Sequence, residues 1–201
     1  MKIRVALFVL TIGGFALLGG CSGDIPVPKP QAFPRVEFPK RQHPMVFNAG
    51  CPFSFEYPSY AQVIPDQKGD ENRCWMNIFY QPFNANLHLT YKPIVDEGDL
   101  KGYLGDAYTM VDKHFDKADA IEESTIGSAG ETSGGLYWRI GGNAATPIQF
   151  FVTDSTHHFM RGSLYFNSEP NRDSLAPIVN FIEEDIVHTL STLNWFGQTV
   201  E

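Results

Sequence analysis

Residues 142–166 read GNAATPIQFFVTDSTHHFMRGSLYF, and they are the most strongly patterned stretch of this 201-residue chain. Two apolar runs, Ile148–Thr153 and Phe159–Phe166, are rich in the aromatic and branched side chains that favour β-strands. Between them lie Asp154 and Ser155, residue types whose side chains hydrogen-bond to nearby backbone in turns. The stretch therefore predicts a β-hairpin.

This hairpin is predicted to lie in the middle of its sheet. Phe150 and Phe151 are adjacent, so their side chains point to opposite faces, and both faces need cover. Residues Asp173–Trp195 carry apolar side chains at helical spacing and can cover one face. A second amphipathic helix is predicted over Leu100–Phe115, with Asp99 as its N-cap.

Other strands are predicted where apolar residues alternate with polar or smaller ones. They are Cys51–Pro58, Cys74–Tyr80, Asn86–Tyr91, Ala118–Ile126 and Leu136–Ile140. The predicted fold class is α+β: an antiparallel β-sheet with a central hairpin, packed against a long C-terminal helix and a second amphipathic helix.

The first 20 residues have the pattern of a lipoprotein signal peptide. Lys2 and Arg4 precede an apolar run, Val5–Leu18, which is shorter than the roughly 20 residues of a membrane span. The run ends in Leu18-Gly19-Gly20-Cys21, which resembles a lipobox. Cys21 is therefore predicted to carry lipid and to become the mature N-terminus. A soluble secreted protein with a chance cysteine at this position is the alternative.

Residues 21–46 are predicted to form a tether because they are rich in proline. The prolines of this stretch are Pro26, Pro28, Pro30, Pro34, Pro39 and Pro44. Proline fixes φ and removes a hydrogen-bond donor, so we expect an extended, solvated segment that reaches on the order of 60 Å from the membrane. Recognition as a polyproline ligand is the alternative. Residues 47–201 have a suitable length for a single domain.

Cys51 and Cys74 are predicted to form a disulfide bond. Once Cys21 carries lipid, these two cysteines remain in an exported domain, where an even number is usually paired. Two buried free thiols are the alternative.

The hairpin turn, with Asp154, Ser155, His157 and His158, is the strongest candidate for chemistry. It offers a carboxylate, a hydroxyl and two imidazoles. However, a serine hydrolase usually assembles its nucleophile, base and oxyanion hole from distant parts of the chain. Adjacent histidines on a strand point to opposite faces, so they seldom share a zinc ion. We therefore expect a structural turn, with no catalytic residue, metal or cofactor.

The chain is acidic. Its formal charge is −8, and it becomes two units more negative once Lys2 and Arg4 leave with the signal peptide. Such a chain is a poor partner for nucleic acid. Glu183, Glu184 and Asp185 lie off the apolar stripe of the last helix, which is typical of a solvated face; a binding role is the alternative.

Four strings carry a resemblance to a known family: Cys51–Pro58, Lys117–Ile121, Gly142–Thr156 and Asn167–Ile186. In these strings, in the lipobox and in the proline-rich tether, the chain resembles the gliding-motility lipoprotein GldD family of Bacteroidota. The resemblance implies an envelope lipoprotein needed for gliding and for the associated type IX secretion machinery. Its partners would be other envelope proteins and, through the lipid, the membrane. The resemblance brings no catalytic residues.

The first hypothesis is therefore an accessory or scaffold lipoprotein, anchored in the outer membrane and facing the periplasm. A small envelope hydrolase or a ligand-binding module, acting on cell-wall or lipid material, is the alternative. A deep pocket with converging polar groups would favour the alternative, and a shallow surface would favour the scaffold.

Overall fold

The hairpin predicted from residues 142–166 lies within a long antiparallel sheet. The computed structural model describes residues 36–66, 74–127, 133–168 and 171–197, all within one structural unit, Arg35–Glu201. The described strands are β1 (Met45–Phe47), β2 (Phe53–Tyr57), β3 (Ala61–Pro65), β4 (Met76–Tyr80), β5 (Ala85–Pro93), β6 (Ile121–Ile126), β7 (Gly134–Ile140), β8 (Ile148–Thr153), β9 (His158–Phe166) and β10 (Asn194–Trp195). The described helices are α1 (Glu97–Asp112) and α2 (Arg172–Ser191), with a 3-10 turn at Gln81–Phe83.

Seven of the described strands form one sheet in the order β3-β4-β5-β9-β8-β7-β6, and each neighbouring pair is antiparallel. The middle strand is β9, which pairs with β5 on one side and with β8 on the other. All residues of β8 are buried. The α+β fold with a central hairpin is therefore confirmed.

Different elements cover the two faces of this sheet. Phe150 belongs to a core cluster with Ile182 and Ile186 of α2 and with the phenylalanines of β2. Phe151 belongs to a second cluster with Ala107 and Val111 of α1. The two adjacent phenylalanines thus point to opposite faces, and each face has its own helix.

Gly162 lets an aromatic side chain approach the centre of the sheet closely. It is the register partner of Phe150, and an ideal Cβ at position 162 would lie 2.1 Å from Cζ of that ring. Any larger residue at this position would displace Phe150 from the core, because protein interiors are closely packed.

Both of the described helices begin with a side-chain cap. In α1, Asp96 Oδ1 accepts a hydrogen bond from the Asp99 N–H at 3.0 Å, and Asp99 Oδ2 accepts one from the Asp96 N–H at 3.4 Å. This reciprocal capping box starts the helix three residues before the predicted Leu100. Asn171 caps α2. That helix ends at Ser191, and residues 194–195 pair with β2 instead.

A smaller sheet has the described strands β1, β2 and β10, with β2 in the middle. Residues 36–44, which we call the N-terminal strap, precede it. Val36 packs against the larger core cluster, and the ring centroid of Phe38 lies 4.8 Å from that of Phe181 on α2. The folded region therefore begins by residue 36, whereas the predicted boundary was residue 47. The predicted signal peptide, Cys21 and the tether up to residue 35 lie outside the described residues.

Candidate functional site

Asp154 organises the turn between β8 and β9. Its Oδ1 atom accepts hydrogen bonds from the N–H groups of Thr156 at 3.0 Å and of His157 and His158 at 2.8 Å each. Burial disfavours the charged form of this carboxyl, but the three backbone donors outweigh burial and hold the pKa of Asp154 below its ordinary range. The carboxylate is thus ionised at neutral pH and stabilises the turn through these three hydrogen bonds.

His158 is buried beneath the turn. Its Nδ1 lies 2.9 Å from the Tyr91 hydroxyl, and its ring stacks on Trp195 of β10 with the centroids 5.1 Å apart. Its Nε2 lies 4.0 Å from Asp154 Oδ2. Burial lowers the pKa of His158, although the charge of Asp154 opposes this effect. The imidazole is therefore neutral at neutral pH and packs the hairpin against β10.

Ser155 and His157 are exposed. Ser155 has a positive φ of 63°, and its N–H donates to Thr153 Oγ1 at 2.9 Å. The Nδ1 atom of His157 lies 3.0 Å from Thr156 Oγ1. Ser155 and Thr156 line an open depression of about 430 Å³ beside the start of α1. Among the described residues, no hydrogen bond joins the Ser155 hydroxyl to a histidine, so the turn does not present a nucleophile and its base in contact.

A second polar cluster joins the N-terminal strap to α2. Arg41 donates from Nε to Asp185 Oδ1 at 2.6 Å, from Nη1 to Glu184 Oε2 at 2.8 Å and from Nη2 to the Phe181 carbonyl at 2.6 Å. The guanidinium carbon lies 3.9 Å from the centroid of the Phe181 ring. A single arginine therefore contacts one full turn of α2 and fixes the strap on it.

Asp185 is the buried centre of this cluster. Its side chain is 3% exposed, and it also accepts a hydrogen bond from the Tyr60 hydroxyl. Burial raises the pKa of Asp185, while the bonds from Tyr60 and Arg41 oppose that rise. Burial, with a contribution from the nearby charge of Asp185, also raises the pKa of Tyr80. Among the described residues, the Tyr80 hydroxyl has no hydrogen-bond partner. Both the Tyr60 hydroxyl and Arg41 therefore favour the ionised form of Asp185.

Glu183 links α2 to the large sheet. It accepts hydrogen bonds from the Tyr137 hydroxyl at 3.0 Å and from Nη1 of Arg139, whose Nη2 contacts Asn180. The acidic cluster of α2 was predicted to be a solvated face. Instead, Glu183 and Asp185 bind partners that are distant in sequence, and Glu184 stays largely exposed. Sequence reasoning missed Arg41 and its role. The available signal was Asp185, a charged residue that lies three positions after Ile182 on the buried side of α2.

Cys51 and Cys74 are joined by a disulfide bond, with their Cα atoms 5.7 Å apart. This distance is within the ordinary range for disulfides. The bond connects the β1–β2 connection of the small sheet to the residues that lead into β4 of the large sheet.

The described residues contain no group of three or more His, Cys, Asp or Glu side chains placed to hold a metal ion. None of the described helices combines the length and the apolar character needed to cross a membrane.

Comparisons with solved structures and with family models each give a match that covers most of the chain. Among curated proteins, none matches. Among solved structures, the solution structure of cyanobacterial PsbP (CyanoP) from Synechocystis sp. PCC 6803 is similar at 13% identity with a TM-score of 0.47, over 90% of this chain and 99% of that chain. The family model described as gliding motility lipoprotein GldD matches residues 23–195, a span that includes all the described strands and helices. The chain therefore belongs to the GldD family of gliding motility lipoproteins.

Proposed function

We propose that this protein is an accessory or scaffold lipoprotein of the gliding-motility and type IX secretion machinery. The observation that carries the proposal is the match of residues 23–195 to a family described as a gliding motility lipoprotein. In this proposal a lipid on Cys21 anchors the protein in the outer membrane, facing the periplasm. The folded region then binds other envelope proteins.

The N-terminal strap supports a scaffold role. A scaffold has to hold its partners at a defined place relative to its anchor, so the chain should leave the domain from a fixed point. Arg41 holds this part of the chain in place, because its guanidinium group is bonded to Asp185, to Glu184 and to the backbone of α2. A pull on the strap is therefore transmitted to α2, and through Ile182 and Ile186 to the core.

An envelope hydrolase centred on the hairpin turn is less well supported by the geometry. The carboxylate of Asp154 is engaged by three backbone N–H groups, and His158 is stacked against Trp195. The exposed Ser155 and His157 remain, and in the described structure no hydrogen bond joins the Ser155 hydroxyl or the His157 ring to a carboxylate or to another imidazole of the turn.

The anchor is tested by replacing Cys21 with Ser. We expect the Cys21→Ser protein to leave the membrane fraction and to incorporate no labelled fatty acid, because serine offers no thiol for acylation. Ser22→Ala is the matched control, since it changes the neighbouring residue and should stay membrane-bound. Labelled fatty acid in the Cys21→Ser protein would show that the lipid is attached elsewhere.

The scaffold role is tested by crosslinking in the native envelope. A photoreactive residue is introduced in separate strains at the exposed apolar positions Val46 on β1, Phe115 after α1 and Val187 on α2. We expect at least one position to capture other envelope proteins of the machinery, and the Cys21→Ser protein with the same photoreactive residue to lose that capture. If all three positions capture nothing at native abundance, the scaffold proposal is wrong.

A further inference from the structure

A cavity of about 210 Å³ lies between the β7–β8 connection and the first half of α2. Its apolar lining includes Ala144, Phe166 and Val179, and its charged lining includes Glu122 and Arg139. Pockets for drug-sized ligands have volumes of about 300–1,000 Å³, so this cavity suits a smaller molecule. It is separate from both the hairpin turn and the N-terminal strap.

The β7–β8 connection that walls the cavity is held tightly. Gly142 has a φ of 83°, and an ideal Cβ there would lie 2.7 Å from both the Asp119 nitrogen and the Lys117 carbonyl oxygen. Thr146 is fully buried, and its hydroxyl donates to the carbonyl of Ile148 at 2.9 Å. Because this wall is already ordered, a ligand would bind with little further loss of conformational entropy.

Two opposite charges lie on neighbouring strands beside the cavity. Glu122 of β6 and Arg139 of β7 are register partners, and directly opposed residues place their Cβ atoms about 5 Å apart on one face. The two Nη groups of Arg139 are held by Glu183 and Asn180. In the described part of the chain, Glu122 takes part in no ion pair. The site therefore combines a positioned guanidinium group with an uncommitted carboxylate.

We propose that this cavity binds a free α-amino acid with a small aliphatic side chain. The ammonium and carboxylate groups of an amino acid share one carbon atom, which suits charged residues on adjacent strands. The ligand carboxylate would accept hydrogen bonds from the remaining N–H groups of Arg139. A guanidinium group has five N–H donors, and the present partners of Arg139 use two of them. Its ammonium group would bind Glu122, and its side chain would contact Ala144 and Val179. This site is independent of the proposed scaffold role.

Methyl NMR of the mature chain labelled at alanine tests the location, with L-valine as the probe. Ala144, Ala145 and Ala176 line the cavity, whereas Ala107 belongs to α1 and is not part of the lining. We expect valine to shift the first three methyl signals saturably with a Kd at or below about 1 mM, and to leave Ala107 unchanged. The proposal is overturned if no saturable shift occurs at up to about ten times that concentration.

Ligand analogues and a pair of substitutions test the two charges. Isovalerate lacks the ammonium group and isobutylamine lacks the carboxylate, so each should bind roughly tenfold more weakly than valine. Glu122→Gln should weaken valine binding by about the same factor and should not weaken isovalerate binding, because isovalerate has no ammonium group to bind Glu122. Glu123→Gln is the matched control, because it makes the same charge change on the opposite face and can still accept the hydrogen bond from Trp138 Nε1. If valine and isovalerate bind with equal affinity, Glu122 does not bind the ammonium group. The same conclusion follows if Glu122→Gln and Glu123→Gln change the affinity for valine equally.

A cavity-filling substitution gives an independent check. Ala176 lines the cavity and is only partly buried, so the larger side chain of Ala176→Leu can fill the cavity without disturbing the buried core. We expect this variant to lose valine binding while its circular dichroism spectrum and Tm stay those of the wild type. Unchanged valine affinity in the folded variant overturns the location. If Ala176→Leu fails to fold, the comparison of Glu122→Gln with Glu123→Gln still decides whether valine binds in this cavity.

Discussion

Replacing Arg41 with Ala tests whether the N-terminal strap is part of the folded domain. The substitution removes three hydrogen bonds to α2 and the contact with the Phe181 ring. It leaves Asp185 buried, with the Tyr60 hydroxyl as a remaining donor. We therefore expect a substantial loss of stability from a residue that sequence analysis assigned to a solvated tether.

The magnitude follows from burial. Removing one partner of a fully buried ion pair costs about 3–5 kcal/mol. Here the side chain of Asp185 is 3% exposed but that of Arg41 is 39% exposed, so water screens part of the interaction. The contact with the exposed Glu184 contributes at most about 1 kcal/mol. We expect Arg41→Ala to lower the free energy of unfolding by about 2–3 kcal/mol, measured by urea denaturation of the Cys21→Ser chain.

The loss should depend on pH. The folded pKa of Asp185 is raised above its ordinary value of 3.8, so in the window above that value the folded state binds more protons than the unfolded state. The contribution of this carboxyl to stability therefore falls as pH rises through that window. Removing Arg41 should raise the pKa of Asp185 further. The deficit of Arg41→Ala should then shrink as the pH is lowered from neutral towards 4, because a protonated carboxyl needs no cation.

Two comparisons make this prediction specific. Lys92→Ala removes an exposed ion pair, in which Lys92 Nζ lies 3.5 Å from Asp106, and should cost less than about 1 kcal/mol. In an Asp185→Asn background, Arg41→Ala should cost clearly less than in the wild type, because the buried charge is gone. The reasoning is refuted if Arg41→Ala costs less than about 0.5 kcal/mol and matches Lys92→Ala at every pH.

The disulfide, the glycines and the hairpin turn give three further predictions. Replacing both Cys51 and Cys74 with Ala should lower the free energy of unfolding by about 3 kcal/mol, because the bond links residues 23 positions apart; two free thiols titrated in the denatured, unreduced wild type would contradict the bond. Gly102→Ala, in open space on α1, should raise stability by about 0.5–1 kcal/mol, while Gly162→Ala should lower it by more than about 1 kcal/mol; effects of the same sign would contradict the packing argument. Ser155→Ala should leave gliding nearly intact at unchanged abundance, since the hydrogen bond of Ser155 to Thr153 Oγ1 is donated by the backbone N–H, which alanine keeps; complete loss of gliding in a folded, anchored strain would favour the hydrolase.

The central hairpin could be predicted because its information is local. An alternating or continuous apolar run bounded by turn residues specifies strands without reference to the rest of the chain. The adjacent pair Phe150 and Phe151 even specified that both faces would be covered, and the structure places these residues in separate core clusters. The helices were also predicted, since their apolar stripes are local patterns.

The short strands could not be predicted in the same way. β1 has three residues and β10 has two, and both exist because they pair with β2. Trp195 was assigned to the end of the last helix, but it pairs with Phe53 and its indole ring stacks on His158. These are contacts between residues far apart in sequence, and no pattern within a short window contains them.

The need for a cation beside Asp185 could have been predicted from the sequence. The buried face of α2 includes Ile182, Ile186 and Thr189, and Asp185 lies three residues after the first of them, on the side of the helix that faces the protein. A carboxylate at such a position has to be neutralised, because an unpaired buried charge is strongly unfavourable. The sequence therefore contained the expectation of a buried cation beside α2. It did not contain the identity of that cation, since Arg41 is 144 residues away and is one of 15 Lys and Arg residues in the chain. The partner comes from the N-terminal strap, so the residue that completes the buried charge pair also fixes this strap on α2.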